Sequence, residues 1–418
     1  MRQHASGQRY LWIVVLLSFL GQGGSASLYQ GLPPLYIFIK EEFHLSQAQV
    51  GLITSTLTGG GIITSLVVGR ALDRYGVRWV LPLGLLLLSG VLLVFSQGRS
   101  LGQILAIGFL AGTVATVGFP GSSKVVVDWL PVRLRAIGMS LRYTSVPITG
   151  SVAAAVLPAL ALALSWRYAA GLLALNILIA AVVIALFYRE GPLARPMQAG
   201  RDSFVRQMRR VVRNRNLLIA TVFQTTQVSL QIVVVSYLVL FLKEALLFSV
   251  VVAGAFLAIV QFSSAGGSML WGVVSDGLLG GRRVVVLVIV GVLSMLLLLL
   301  MALLTPSTPF WMVLLLVIGI GMTVPAWQGV HTALVAEIGG AGLTATALGF
   351  TGTFSRAGVL VVPPLFGLLV DLSDGSYRAA WLAAAVLAIL GTFSLLLLRE
   401  SRPQVQPEEP VRPPGPRG

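Results

Sequence analysis

A chain of 418 residues in which 56% are hydrophobic and only 10% charged, with a mean hydropathy of +0.91, has too little polar surface for a water-soluble particle, where about a quarter of residues carry charge. No cysteine and only three histidines exclude a disulfide framework, a thiol nucleophile and a multi-histidine metal centre. A net charge of +15 would point to nucleic acid only if the basic residues formed a patch on a folded domain, and here they are scattered through loops between apolar runs.

A membrane-spanning helix needs about 20 mostly apolar residues. In chain order the runs that qualify are Tyr10–Gln30, Val50–Gly69, Val77–Gln97, Leu101–Gly121, Ala136–Leu164, Tyr168–Tyr188, Leu217–Phe241, Val250–Gly272, Val284–Leu304, Phe310–Val330, Leu343–Val370 and Ala379–Leu398. The expected fold is therefore an all-α membrane protein of twelve transmembrane helices. The first run is too long for a removable signal peptide and lacks a small-residue cleavage site, so it reads as a start-transfer helix. With the N-terminus inside, alternate loops and both tails collect the arginines: Arg70, Arg74 and Arg78; Arg133 and Arg135; the dense run from Arg189 to Arg215; Arg282 and Arg283. The opposite loops hold only Lys40, Arg99, Arg167, Lys243 and Arg378. By the positive-inside rule both termini are cytoplasmic and the chain sits in the cell membrane.

Residues 189–216 form a basic linker between an N-terminal six-helix bundle, 1–188, and a C-terminal one, 217–400; residues 401–418 read as a disordered cytoplasmic tail rich in proline. Within the linker Phe204, Met208 and Val211 recur at helical spacing among arginines, which suggests a helix lying on the anionic inner leaflet, or else a solvated connector. The two bundles echo each other. Gly69-Arg-Ala-Leu-Asp73-Arg74-Tyr-Gly76-Val-Arg78 follows span two, and Gly272-Val-Val-Ser-Asp276 through Arg282-Arg283 follows span eight. Ser165-Trp-Arg167 before span six matches Ser376-Tyr-Arg378 before span twelve. Pseudo-symmetric six-helix halves are a transporter architecture, with cargo bound at mid-membrane between the repeats.

The segment Gly69-x-x-x-Asp73-Arg74-x-Gly76-x-Arg78, with its degenerate copy at Asp276, resembles the signature loop of the major facilitator superfamily, and the resemblance extends over residues 10 to 400. It implies twelve spans working by alternating access, and a latch in this loop that stabilises the outward-open state and breaks as the halves rock. Gly69 and Gly76 suit a tight, close-packed turn. Asp73 can be held by a helix N-terminus or a basic residue. Lys124 and Asp128, four residues apart, can pair near the inner surface, and Glu337 follows span ten at the matching place; these read as an inner gate.

Every aspartate and glutamate falls in a loop, a tail or a span end, which counts against proton carriage on a buried carboxylate. Two cations do lie at depth. From the cytoplasmic ends of their helices, Arg142 on span five is about 10 Å in and Arg356 on span eleven about 20 Å in. Aligning the halves on Ser165 and Ser376 puts Arg356 opposite Ser145, one turn beyond Arg142 on the same face. A buried arginine costs on the order of 2.5–3.5 kcal/mol, and without an acidic partner it needs water, backbone carbonyls or an anionic substrate held by two parallel hydrogen bonds. In anion-carrying branches of the superfamily, the resemblance adds, basic residues on these helices serve substrate. Gln22 and Tyr29 on span one, Gln224 and Gln227 on span seven, and Trp327 on span ten could orient it, or could be interhelical contacts alone. His331, a lone imidazole near a helix end, reads as structural rather than as a coupling residue.

The expected activity is secondary transport of a small organic or inorganic anion, by proton symport or anion exchange. The alternative is export of neutral or lipophilic compounds with structural arginines. No enzymatic activity, cofactor, metal or nucleic-acid partner is expected, and the protein is expected to be a monomer in the lipid bilayer.

Overall fold

The computed structural model describes residues 2–191 and 204–398. Residues 192–203 of the linker and the proline-rich tail lie outside the described residues. Helices account for the fold, and among the described residues there is no strand. In order they are α1 (Arg2–Gly31), a 3₁₀ turn at Pro33–Leu35, α2 (Tyr36–Phe43), α3 (Gln47–Tyr75), α4 (Val77–Ser96), α5 (Leu101–Ala115), α6 (Gly118–Trp129), α7 (Val132–Tyr143), α8 (Ser145–Ala163) and α9 (Trp166–Phe187). Then come α10 (Phe204–Arg213), α11 (Arg215–Glu244), α12 (Val250–Val273) with a π turn at Val274–Leu278, α13 (Arg283–Met301), α14 (Phe310–Thr323), α15 (Gln328–Leu372) and α16 (Arg378–Leu396).

Eleven stretches among the described residues are long and apolar enough to cross a bilayer, and α3, bent by 48° between Ile62 and Val67, makes a twelfth. Three spans are broken where a proline dictates it. Proline lacks an N–H and its ring clashes with the carbonyl four residues earlier. Pro120 breaks span four at Thr116, Pro147 breaks span five at Thr144, and Pro325 breaks span ten between Thr323 and Gln328. Spans ten and eleven run into one another through α15, divided by Gly340 at φ 64°.

The early helices pack as one group, α1 against α6, α8 and α9, α3 against α5, and α4 against α9. At Gly112 the backbone of α3 comes so near that an added Cβ would lie 1.8 Å from the Leu57 oxygen. The late helices form a second group, α11 against α15 and α16, α12 against α14, and α13 against α16. Two seams join the groups, α3 with α15 and α8 with α12. Around the outside Leu86, Leu93, Val182, Phe262, Leu300 and Phe393 stand exposed, the apolar belt that lipid covers.

The linker helix forms where its periodicity put it, but its apolar side is spent on protein rather than on a leaflet. Val211 is fully buried and, with Met208, packs among Leu217, Ala220, Val335, Ala347 and Phe350. Gln207 accepts a hydrogen bond from Thr346 at 2.8 Å. The Phe204 side chain lies outside the described residues.

Candidate functional site

The break that Pro147 imposes leaves Arg142 in the last turn of α7, turned into the first group of helices. Its Nη1 donates to Gln22 Oε1 at 2.7 Å and to Ser122 Oγ at 3.0 Å, with the Phe119 carbonyl 3.4 Å away. The guanidinium carbon lies 4.9 Å from the Phe119 ring centroid and 4.6 Å from that of Tyr143, a distance at which the aromatic faces attract a cation. Arg142 is 1% exposed. Its desolvation is offset by neutral dipoles and π faces, with no carboxylate among these contacts, and the buried Nε is left without a partner. Gln22 is thereby committed as the acceptor for Arg142. Phe119, Ser122 and Tyr143 were not singled out by sequence; Ser122 and Phe119 flank Pro120, whose helix break was the available signal.

Arg356 is placed differently. It is half-buried on α15 and, among the described residues, has no hydrogen-bond or ion-pair partner. Tyr29, half-buried on α1, lies within electrostatic reach of it from the other group of helices. The Tyr29 hydroxyl points at the Gly112 carbonyl, 3.4 Å away. The two arginines expected to act as an equivalent pair are thus unequal: one is packed and bonded, the other is half-buried with no hydrogen-bond partner among the described residues.

On the second group of helices, Gln224, Gln227 and Gln231 lie on α11 and Trp327 and Gln328 at the start of α15. Gln328 Nε2 donates to Gln231 Oε1 at 3.0 Å. Trp327 meets Phe223 edge-on, ring centroids 6.0 Å apart, and His331 stacks on Phe223 at 6.0 Å. The His331 Nε2 bonds the Ala220 carbonyl at 2.9 Å, a packing role in keeping with its sequence reading. Gln231 and Gln328 tie α11 to α15, a pairing that no local spacing reveals.

At one end of the bundle, here the Asp73 end, the Asp73 and Asp276 ion pairs each lie within one group. Asp73 binds Lys124 at 3.1 Å. The expected Lys124–Asp128 pair does not form: Lys124 is taken by Asp73 from the neighbouring helix, while Asp128 is buried with Oδ2 unpaired. Arg74 is exposed, its guanidinium carbon 5.3 Å from the Tyr75 ring centroid. Gly76 ends α3 at φ 79°, a conformation that favours glycine, and Glu190 reaches past it to accept from the Arg78 N–H at 3.1 Å. Gly69 lies inside α3 with open space where a side chain would be, not in a tight turn. In the second copy Arg283 bridges Asp276 and Glu337, 3.2 Å from the latter.

At the opposite end, the Asp371 end, bonds cross between the groups. Asp371 accepts from the Gln47 and Ala48 N–H groups at 2.9 Å each, capping α3 from the last turn of α15. Glu244 takes Lys40 at 2.6 Å, Gln47 Nε2 at 2.6 Å and the Tyr377 hydroxyl at 2.8 Å. The Thr54 and Ser236 hydroxyls meet at 3.1 Å, and Gln261 donates to Gln30 at 2.7 Å.

Residues 11–346 match the profile of the Major Facilitator Superfamily. An uncharacterized MFS-type transporter of Mycobacterium tuberculosis is 26% identical over 99% of this chain and 88% of its own length. GudP of Bacillus subtilis, described as a probable galactarate/D-glucarate transporter, is 23% identical over 93% of this chain and 91% of its own. The match to YybO of B. subtilis, an uncharacterized transporter, is 32% identical but spans only 31% of this chain and 30% of that protein. Among solved structures, a bacterial homolog of the human lysosomal transporter Spinster, inward-facing and unoccupied, superposes with a TM-score of 0.76 at 14% identity, covering 93% of this chain and 96% of that one.

Proposed function

The chain belongs to the major facilitator superfamily, and from that premise we propose that it carries a small anion across the cell membrane by alternating access, with Arg356 as the residue that reads the charge. The observation that carries this reading is Arg356 itself, half-buried and without an acidic or hydrogen-bonding partner among the described residues, with Tyr29 of the other helical group within electrostatic reach. An arginine at depth is costly to leave uncompensated, and a carboxylate offers it two parallel hydrogen bonds. Tyr29 supplies a hydroxyl to a second oxygen of such a group. Arg142, bonded through Nη1 to Gln22 and Ser122, holds the opposite wall in shape. The sugar-acid transporter among the relatives supports an anionic cargo.

The basic loops make the Asp73 end cytoplasmic. On this reading the inter-group bonds gathered at the Asp371 end close the outer side, with both termini cytoplasmic. The gate residues Gly69, Asp73, Arg74, Gly76, Lys124, Asp128 and Asp276 belong to the opposite closure, formed when the cytoplasmic ends come together. The cargo moves with a proton or in exchange for another anion, through a monomer.

Uptake into proteoliposomes, with anionic and neutral competitors, tests the reading. Loss of about 10–100-fold in apparent anion affinity is expected in Arg356→Gln, the worth of one or two charge-assisted hydrogen bonds. Indifference of Arg356→Gln and Arg142→Gln to anions would sink it and favour export of neutral or lipophilic compounds.

A further inference from the structure

Two side chains in the second group of helices are buried almost completely and yet leave polar atoms unpaired. Gln227 is 1% exposed with neither Oε1 nor Nε2 bonded, and Trp327 is 1% exposed with its indole Nε1 unbonded. Gln224 Oε1, nearby on α11, is unpaired as well. Buried polar groups without partners are rare in native proteins, and each calls for an explanation.

The two share a seam. Phe223, Gln227 and Gln231 follow at four-residue spacing, so they lie on one face of α11. Phe223 touches Trp327, and Gln231 is bonded to Gln328. Gln227 is held between those two contacts, against the start of α15.

We propose that this seam recognises hydroxyl groups, so that the cargo is a hydroxylated monocarboxylate; the proposal rests on Arg356 taking the carboxylate. The unpaired set contains donors, Gln227 Nε2 and Trp327 Nε1, and acceptors, Gln227 Oε1 and Gln224 Oε1. Carboxylates and phosphates ionised at neutral pH bring acceptors, and ammonium groups bring donors. A hydroxyl brings both. Gln224, Gln227, Gln231, Trp327 and Gln328 are uncharged, and the His331 imidazole against Trp327 and Phe223 is tied to the Ala220 carbonyl. A second carboxylate would enter with no cation to meet it, at a desolvation cost that nothing offsets. Gln231 and Gln328, half-buried beside the seam, can exchange their mutual bond for bonds to an arriving polyol, which opens it.

The test measures affinities of gluconate, hexanoate, glucarate and sorbitol for the purified full chain by calorimetry, for wild type, Gln227→Leu and Trp327→Phe. The second variant keeps an aromatic ring while losing the indole N–H with its pyrrole ring, so it reads the same property where the first fails to fold. Gluconate is expected to bind at least about tenfold tighter than hexanoate, and that ratio to fall about tenfold in either variant, as for a site that loses a hydrogen bond to a substrate hydroxyl. Glucarate is expected to bind no tighter than gluconate. A ratio unchanged in both variants would overturn the proposal and leave the seam to packing or an ordered water. Glucarate binding well above gluconate would overturn the single-charge claim. Sorbitol binding as well as gluconate would overturn the role of Arg356 while leaving hydroxyl recognition standing.

Discussion

Replacing Asp371 by asparagine isolates one contact between the two helical groups. The carboxylate spans two backbone N–H groups at 2.9 Å each at the start of α3, where the helix dipole also favours negative charge. Asparagine keeps one acceptor oxygen, so one charge-assisted hydrogen bond, about 1.5–3 kcal/mol, is lost together with a dipole attraction of about 0.3–1 kcal/mol. Part of this returns as water enters, and about 1–3 kcal/mol of net bias toward opening is expected. That shifts a two-state equilibrium by about 5–150-fold. The chain has no cysteine, so Ser236→Cys, in the seam where Ser236 meets Thr54, is a clean reporter for a membrane-impermeant maleimide added from outside. Its alkylation rate is expected to rise by that factor when Asp371→Asn is added. An unchanged rate in a folded, transporting protein would refute the assignment of this contact as a clamp.

Gln22→Leu removes the better acceptor of Arg142 without adding a charge, and is expected to cost about 1–3 kcal/mol, read as a drop in thermal-unfolding midpoint. The same change in an Arg142→Met background is expected to cost much less, and a double-mutant cycle checks this coupling. Gly76→Ala forces a Cβ into a left-handed residue beside Glu190, at a cost of about 1–2 kcal/mol, measured as reduced stability in membrane-mimetic denaturation. Lys124→Met is expected to change stability by less than about 1 kcal/mol, because the pair it makes with Asp73 is a partly exposed one.

The bilayer made most of the fold legible. Each span must pair its own backbone groups in about 20 apolar residues, so spans could be counted, but the sequence reading ran spans four, five and ten unbroken across Pro120, Pro147 and Pro325, where the helices break. The site was legible in part. That Arg142 and Arg356 lie at depth followed from helical rise, but which of them stands free depends on Phe119 and Ser122, side chains of another helix whose rotation about its axis no single-helix pattern supplies. Lys124 and Asp128 illustrate the same limit: four-residue spacing allows a local pair, and a tertiary neighbour, Asp73, supplies a better one. The Asp371 cap was out of reach altogether, since it joins positions 324 and 323 residues apart. Sequence did contain half of that contact, the Ser46 and Gln49 capping box that begins α3.

The two proposed closures meet on one helix, and this gives a last test. The N-terminus of α3 is gripped by Asp371, and its far end carries Asp73, resting now on Lys124 within its own group. If Asp73 grips the second group when the cytoplasmic ends meet, removing each carboxylate biases the halves in opposite directions by the same kind of contact. Asp371→Asn then favours opening outside, and Asp73→Asn favours opening inside. Combined, the two opposed shifts should add to within about 0.5 kcal/mol, as distant sites do, and so offset one another. The Ser236→Cys reporter should return close to its original rate in the double variant. A double variant that labels as fast as Asp371→Asn alone would show that Asp73 has no part in the opposite state, and that the loop bearing it serves topology rather than gating.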